Sequence, residues 1–196
     1  MKSKQPNKRY IKEEQLLNDA YRLGVKIVNG GCKPTFVVGL WRGGSSVGIY
    51  VQECLQYLNI KTDHIAIRTS YRGLTHYDSM VENPETNIRV HGTQYLLENL
   101  NAEDSLLIVD DVCGSGLTLD VVLKRLQLRL KRNMPEEVNI ATIWNKPDKR
   151  RTDIEPDFYV HETNDWLVLP YELNGLTEQE IAQEKPLVSN LLTTNS

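Results

Sequence analysis

Apolar and polar positions along the chain follow two periods in turn. From Ile11 to Val28, the apolar residues Leu16, Ala20, Leu23 and Ile27 recur at three- and four-residue steps. That pattern predicts an amphipathic helix, which Asn29-Gly30-Gly31 stops. Thr35 to Leu40 is a short unbroken apolar run, as expected of a strand buried on both faces. After Arg42-Gly43-Gly44, the residues Val47, Tyr50, Val51, Cys54 and Leu58 trace a second helix, with Ser45 or Ser46 placed to cap it. His64 to Arg68 reads as a second strand and Leu106 to Val109 as a third. A helical face at Leu119, Val122, Leu123, Leu126 and Leu130 follows. Val138 to Trp144 is a fourth strand, and Phe158–Val160 and Trp166–Leu169 give two more. Residues 69–92 hold no strong period and carry Gly, Pro and Asn, so they read as a long mobile loop of the kind that carries function. Strands alternating with helices predict one α/β domain with a mostly parallel sheet of about five strands, covered by helices. The polar residues 1–10 are left as a flexible arm, with the domain spanning residues 11–196.

Composition narrows the class. With 196 residues the chain can bury a sizeable core as one domain. Its 23 basic and 26 acidic residues leave a net charge of −3, so no basic surface argues for nucleic acid. No apolar stretch approaches a membrane-spanning length, and no apolar segment follows the polar start. Cys32, Cys54 and Cys113 are odd in number, widely spaced and form no C-x-x-C, which points to a reducing compartment and no structural metal. A cytoplasmic location is the expectation. The basic residues Arg125, Arg129, Lys131 and Arg132 read as a solvated helix face.

The densest chemistry lies at Leu106–Leu119. An apolar run ends in two adjacent carboxylates, Asp110 and Asp111, and passes through Gly114-Ser115-Gly116 and Thr118 into a helical pattern. A strand of this kind delivers its carboxylates to the sheet edge where open α/β folds bind ligands. The loop offers backbone N–H groups and hydroxyls at a helix N-terminus, which is an anion site. Carboxylates facing a phosphate repel it unless a cation or hydroxyls intervene, so the segment suits a sugar phosphate with several hydroxyls or one arriving with Mg²⁺. No G-x-x-x-x-G-K-[ST] is present, and Leu119 stands where a dinucleotide fingerprint needs glycine or alanine.

Three further segments accompany that loop: Trp41-Arg42-Gly43-Gly44, Ser70-Tyr71, and Ala141–Pro147 followed by Asp165–Glu172. In this order and spacing they resemble the type I phosphoribosyltransferases, with the greatest likeness to the xanthine-guanine and hypoxanthine enzymes of purine salvage. The resemblance covers roughly residues 35–175. It implies that fold, with a small hood from about residues 145–180, and transfer of 5-phosphoribose from phosphoribosyl pyrophosphate to a purine base. It also implies Mg²⁺ as cofactor and a homodimer or homotetramer. Residue by residue, Asp110 and Asp111 would hold the ribose hydroxyls directly or through the metal, and Gly114, Ser115, Gly116, Leu117 and Thr118 would wrap the 5′-phosphate. Arg42 and Gly43 would bind pyrophosphate, behind a Trp41–Arg42 peptide that in this family is often cis. Ser70 and Tyr71 would form the tip of a closing loop. Lys146 would donate to the purine 6-oxo group, Trp166 would stack on the base and the Leu167 backbone would read its edge. Glu172 occupies the place of an aspartate near pyrophosphate and a second metal. Read without their neighbours, Trp166 is an ordinary core aromatic and Lys146 a surface lysine.

The chain departs from that pattern at Gly114, where the 6-oxopurine enzymes carry an aspartate that takes or shares the proton of the attacking purine nitrogen. Leu117 in place of a frequent lysine, and Glu172 for aspartate, are milder departures. Three readings follow: a purine phosphoribosyltransferase, a phosphoribosyltransferase with a non-purine acceptor, and a nucleotide-binding regulatory module that kept the pocket.

Overall fold

A computed structural model describes residues 8–71 and 88–193. The chain divides into two compact units, residues 16–164 and residues 1–15 with 165–196.

The larger unit is built on a six-stranded sheet. Its strands are β2 (Phe36–Trp41), β3 (Asp63–Tyr71), β4 (Ile88–His91), β5 (Ser105–Cys113), β6 (Glu137–Asn145) and β7 (Phe158–Glu162). The spatial order is β4-β3-β2-β5-β6-β7, and every pairing is parallel except β3 with β4. Between the strands run α1 (Glu13–Asn29), α2 (Gly43–Tyr57), α3 (Gln94–Asn99) and α4 (Leu117–Leu130). Alternation along β2 separates its two faces. Phe36, Val38 and Leu40 join Leu106, Ile108 and Ile140 in one core, closed by Leu96 and Leu100 and by Leu119, Val122, Leu126 and Leu130 of α4. Gly39 lies on the opposite face, where a Cβ would come within 2.9 Å of the Gly44 carbonyl in the first turn of α2. Helices thus cover both faces, as the unbroken apolar runs of β2 and β5 require.

The α/β class, the largely parallel sheet and its helical cover agree with the sequence pattern. Several particulars differ. The main sheet has six strands, because Ile88–His91 pairs antiparallel with the end of β3 inside the stretch expected to be loop. Residues 72–87, the rest of that loop, lie outside the described residues. The helix α2 begins at Gly43 with Arg42 in the cap position and no side-chain cap; Ser46 Oγ donates instead to the Gly43 carbonyl at 2.8 Å. Residues 8–10 are not part of a flexible arm. Lys8–Tyr10 forms β1, which pairs in parallel with β8 (Trp166–Val168) in a separate two-stranded sheet. Extended backbone finds its hydrogen bonds there rather than in water.

The smaller unit also holds α5 (Glu178–Glu184) and α6 (Pro186–Thr193). Thr177 and Glu180 cap α5 reciprocally: Glu180 N–H donates to Thr177 Oγ1 at 3.2 Å, and Thr177 N–H donates to Glu180 Oε2 at 2.8 Å. Glu180 Oε1 also accepts from Lys8 Nζ at 2.6 Å and from Tyr10 OH at 2.9 Å. Lys185 Nζ donates to the Leu169 and Pro170 carbonyls at 3.1 and 2.6 Å. Among the described residues no helix is long and apolar enough to cross a membrane.

Candidate active site

The carboxyl edge of the sheet gathers the residues singled out in the larger unit. β5 is fully buried from Ser105 to Val109 and only half-buried at Asp110, Asp111 and Val112, so the strand emerges from the core where its acids begin. Burial, then the adjoining Asp111 carboxylate, push the Asp110 carboxyl well above the usual carboxylate range. The backbone N–H groups of Asp111 and Gly44 pull the other way. Asp111 N–H donates to Asp110 Oδ1 at 3.0 Å, and Val112 N–H to Asp111 Oδ1 at 2.7 Å. Both carboxylates are thereby oriented by the strand's own backbone.

After Cys113 the chain turns through Gly114-Ser115-Gly116 into α4. Gly116 takes a left-handed conformation, φ 78°, and a Cβ there would collide with Thr152 Oγ1, so glycine is required on both counts. Ser115 is buried; its carbonyl accepts the Arg151 N–H at 3.0 Å and its Oγ accepts the Leu117 N–H at 3.4 Å. The start of a 14-residue helix is thus presented behind a fixed loop, the backbone arrangement that suits an anion. Gly114 is different: a Cβ there would meet nothing within 4 Å.

A second loop arrives from β2. The Trp41–Arg42 peptide is cis, as the resemblance implied. Gly44, two residues on, packs so tightly that a Cβ would collide with the Val109 carbonyl and the Asp110 backbone. This contact brings Arg42 and Gly43 beside the acids. Sequence reasoning assigns Gly44 no part in the site; the paired glycine after Arg42 is the signal that could have found it. Lys146 follows β6, whose register sets Asn145 against Cys113, and the Lys146 N–H donates to the Cys113 carbonyl at 2.9 Å. Ser70 and Tyr71 lie two and three residues beyond Arg68, which pairs with Trp41, so they reach the same edge. They do so as strand, opposite Arg89 and Ile88, with Ser70 Oγ and His91 Nε2 2.8 Å apart. The expected loop tip is therefore not at Ser70 and Tyr71, because β4 supplies their hydrogen-bond partners.

Trp166, Leu167 and Glu172 belong to the smaller unit. Trp166 is half exposed on β8 and Leu167 is buried. Glu172 closes its own turn: its Oε2 accepts the Leu169 N–H at 3.0 Å, and its N–H donates to the Leu169 carbonyl at 3.0 Å.

A six-stranded, mostly parallel sheet with an acid pair, a helix-starting loop and a glycine-rich turn on one carboxyl edge defines a phosphate-handling α/β protein. The model of the phosphoribosyl transferase domain matches residues 8–174, and the chain belongs to that family, in its type I class. It is 24% identical over 184 residues to the hypoxanthine-guanine phosphoribosyltransferase of Staphylococcus aureus, covering 92% of this chain and 91% of the relative. Among solved structures it resembles the purine phosphoribosyltransferase of Pyrococcus horikoshii (TM-score 0.62, 24% identity, 87% of this chain and 97% of that one). It also resembles a hypothetical protein from Neisseria gonorrhoeae with bound ppGpp (TM-score 0.68, 18% identity, 96% and 99%).

Proposed function

We propose that the chain is a Mg²⁺-dependent pentosyltransferase that moves 5-phosphoribose from phosphoribosyl pyrophosphate to a purine base, hypoxanthine, guanine or xanthine, in cytoplasmic purine salvage. The observation that carries this reading is the packing of Gly44 on Asp110. It sets Arg42 and Gly43 beside the Asp110–Thr118 segment, so a pyrophosphate group and a ribose 5-phosphate find their partners on one edge.

Each group has a definite role. The loop from Gly114 to Thr118 receives the 5′-phosphate on backbone N–H groups at the start of α4. Asp110 and Asp111 accept the ribose hydroxyls and lower the energy of the positive charge that develops at C1′ as pyrophosphate departs. Arg42 draws the departing pyrophosphate by charge. Lys146 donates to the 6-oxo group and so turns the attacking nitrogen toward C1′. The C1′–nitrogen bond forms, the C1′–oxygen bond to pyrophosphate breaks, and the proton on the purine nitrogen leaves to water, since Gly114 has no group to accept it.

The acid pair suits Mg²⁺, which is bound through one or two carboxylates together with substrate oxygens rather than by an all-protein cage. Two adjacent carboxylates, one of them crowded by burial and by the other, supply that donor set. Among the described residues no group of three or more His, Cys, Asp or Glu forms a closed cluster, in keeping with a metal completed by substrate. When bound, the ion would neutralise charge on the ribose hydroxyls and the leaving pyrophosphate.

Pyrophosphate release from phosphoribosyl pyrophosphate with hypoxanthine, guanine, xanthine and adenine, with and without Mg²⁺, tests the reading. Metal-dependent release with a 6-oxopurine is expected. A second reading, a nucleotide-binding regulatory module, draws support from the missing acid at Gly114 and the ppGpp bound by the Neisseria protein. Micromolar binding of GMP or ppGpp without release for any base would establish it in place of the first. Release only with a base outside the purines would point to another acceptor.

A further inference from the structure

We infer that the outer surface of α1 and α2 is a self-association face, whose occupant is the same surface of a second copy of this chain. Ile49, Glu53 and Tyr57 follow one another at four-residue steps along α2, and all three are exposed. Ile49 is 61% and Tyr57 87% exposed. Tyr21 and Val25 form a similar step on α1, at 40% and 45%. The two rows make one surface. The Tyr21 and Tyr50 rings lie 5.6 Å apart, and Gly24 lets α1 approach α2 so closely that a Cβ would come within 2.8 Å of the Cys54 side chain.

Size and charge both select a second copy as the occupant. A whole aromatic side chain has roughly 150–250 Å² to bury, so these residues offer on the order of 500 Å² of apolar surface. That is near the upper end for a monomer. With the rim of Asn18, Arg22, Glu53 and Gln56 it approaches the roughly 800 Å² per partner of a standard interface. Aromatic side chains, tyrosine foremost here, mark the cores of such interfaces. The surface also carries its own complement: Glu53 on α2 and Arg22 on α1. Arg22 has a side chain 68% exposed, and its Nη1 reaches Asp19 at 3.0 Å, which leaves further donors of the guanidinium fork. A two-fold axis laying α2 of one copy along α1 of the other forms the Glu53–Arg22 pair twice. No residue of this surface belongs to the proposed active site, so the inference holds whatever the carboxyl edge binds.

Sedimentation equilibrium of the full chain tests it. The expected mass is about twice the 22.5 kDa of one chain. Tyr57→Glu and Ile49→Glu should each weaken association by about 30-fold or more, as loss of an interface anchor does, with the circular dichroism spectrum kept. Glu53→Arg should weaken it, and Glu53→Arg combined with Arg22→Glu should restore it. If Tyr57→Glu fails to fold, Ile49→Ser and the charge exchange decide the question. A larger assembly that either substitution halves also supports the face. A chain that stays at 22.5 kDa up to about 100 μM overturns it, as does an oligomer indifferent to all of these changes.

Discussion

Asp110 sits where an anion is disfavoured, since burial and Asp111 hold its carboxyl well above the ordinary value of 3.8. A folded-state value raised above the unfolded one means that stability declines as pH rises through that interval. In buffer free of divalent cations at neutral pH, Asp110→Asn should leave the melting temperature unchanged or higher. Turnover of phosphoribosyl pyrophosphate should fall by about 10²-fold or more, because the carboxylate acts on the charged transition state; a lower melting temperature would contradict the electrostatic account. Gly114 gives the complementary case. A side chain there meets open space, so Gly114→Asp should fold normally and raise 6-oxopurine turnover, by up to the roughly 10²–10⁴-fold that general-base help supplies. Unchanged turnover would show that no base is missing. Gly116→Ala should cost about 1–2 kcal/mol from the left-handed backbone alone, and more from the collision with Thr152, as measured by urea unfolding. The acid pair and the glycines were legible as residue types. Gly44's partner was not, because Val109 and Asp110 lie more than sixty positions away in the chain.

At the scale of elements, strands buried on both faces were the easiest to read. Phe36–Trp41, Ser105–Cys113 and Glu137–Asn145 each announce themselves as apolar runs, although β5 continues through Asp110 and Asp111 because β6 pairs with them. Local polarity set the expected end too early; hydrogen bonding to a neighbour set the real one. The four residues of β4 are too short to show a period, and only the edge of β3 makes them a strand. The tail from Thr177, which showed little beyond a helix-like start, gains a structural role, since α5 ties β1 through Glu180. Hydrogen bonds from Lys8, Thr177 and Tyr10 lower the Glu180 carboxyl to about 2 from its ordinary 4.5. A lowered value contributes stability above the unfolded value and loses it as pH falls through about 2. Amide exchange over residues 177–193 should therefore quicken as the solution is acidified below 4.5. Glu180→Gln should show that quickening already at neutral pH; equal exchange in both proteins would show that the tie carries no stability.

Across the whole molecule, the three cysteines are free and buried. Burial above all pushes the Cys32 and Cys113 thiols up to about 11, and Cys54 upward as well. At about pH 8 the thiolate is scarce, so the native chain should react with a disulfide reagent far more slowly than the chain unfolded in guanidinium, where all three titrate; fast native labelling would contradict their packing. This agrees with the reading of Cys113 as a packed residue rather than a nucleophile. The sequence by itself determined the α/β class, the order of the principal strands and helices, and the family, because burial periodicity and a short phosphate-loop pattern are local properties of the chain. Tertiary structure decided the rest: that the sheet has six strands, that Lys8–Tyr10 and Trp166–Val168 leave it to pair with each other, and that Gly44 meets Asp110. Those are contacts between distant residues, which depend on hydrogen-bond partners and steric fit that no local pattern encodes.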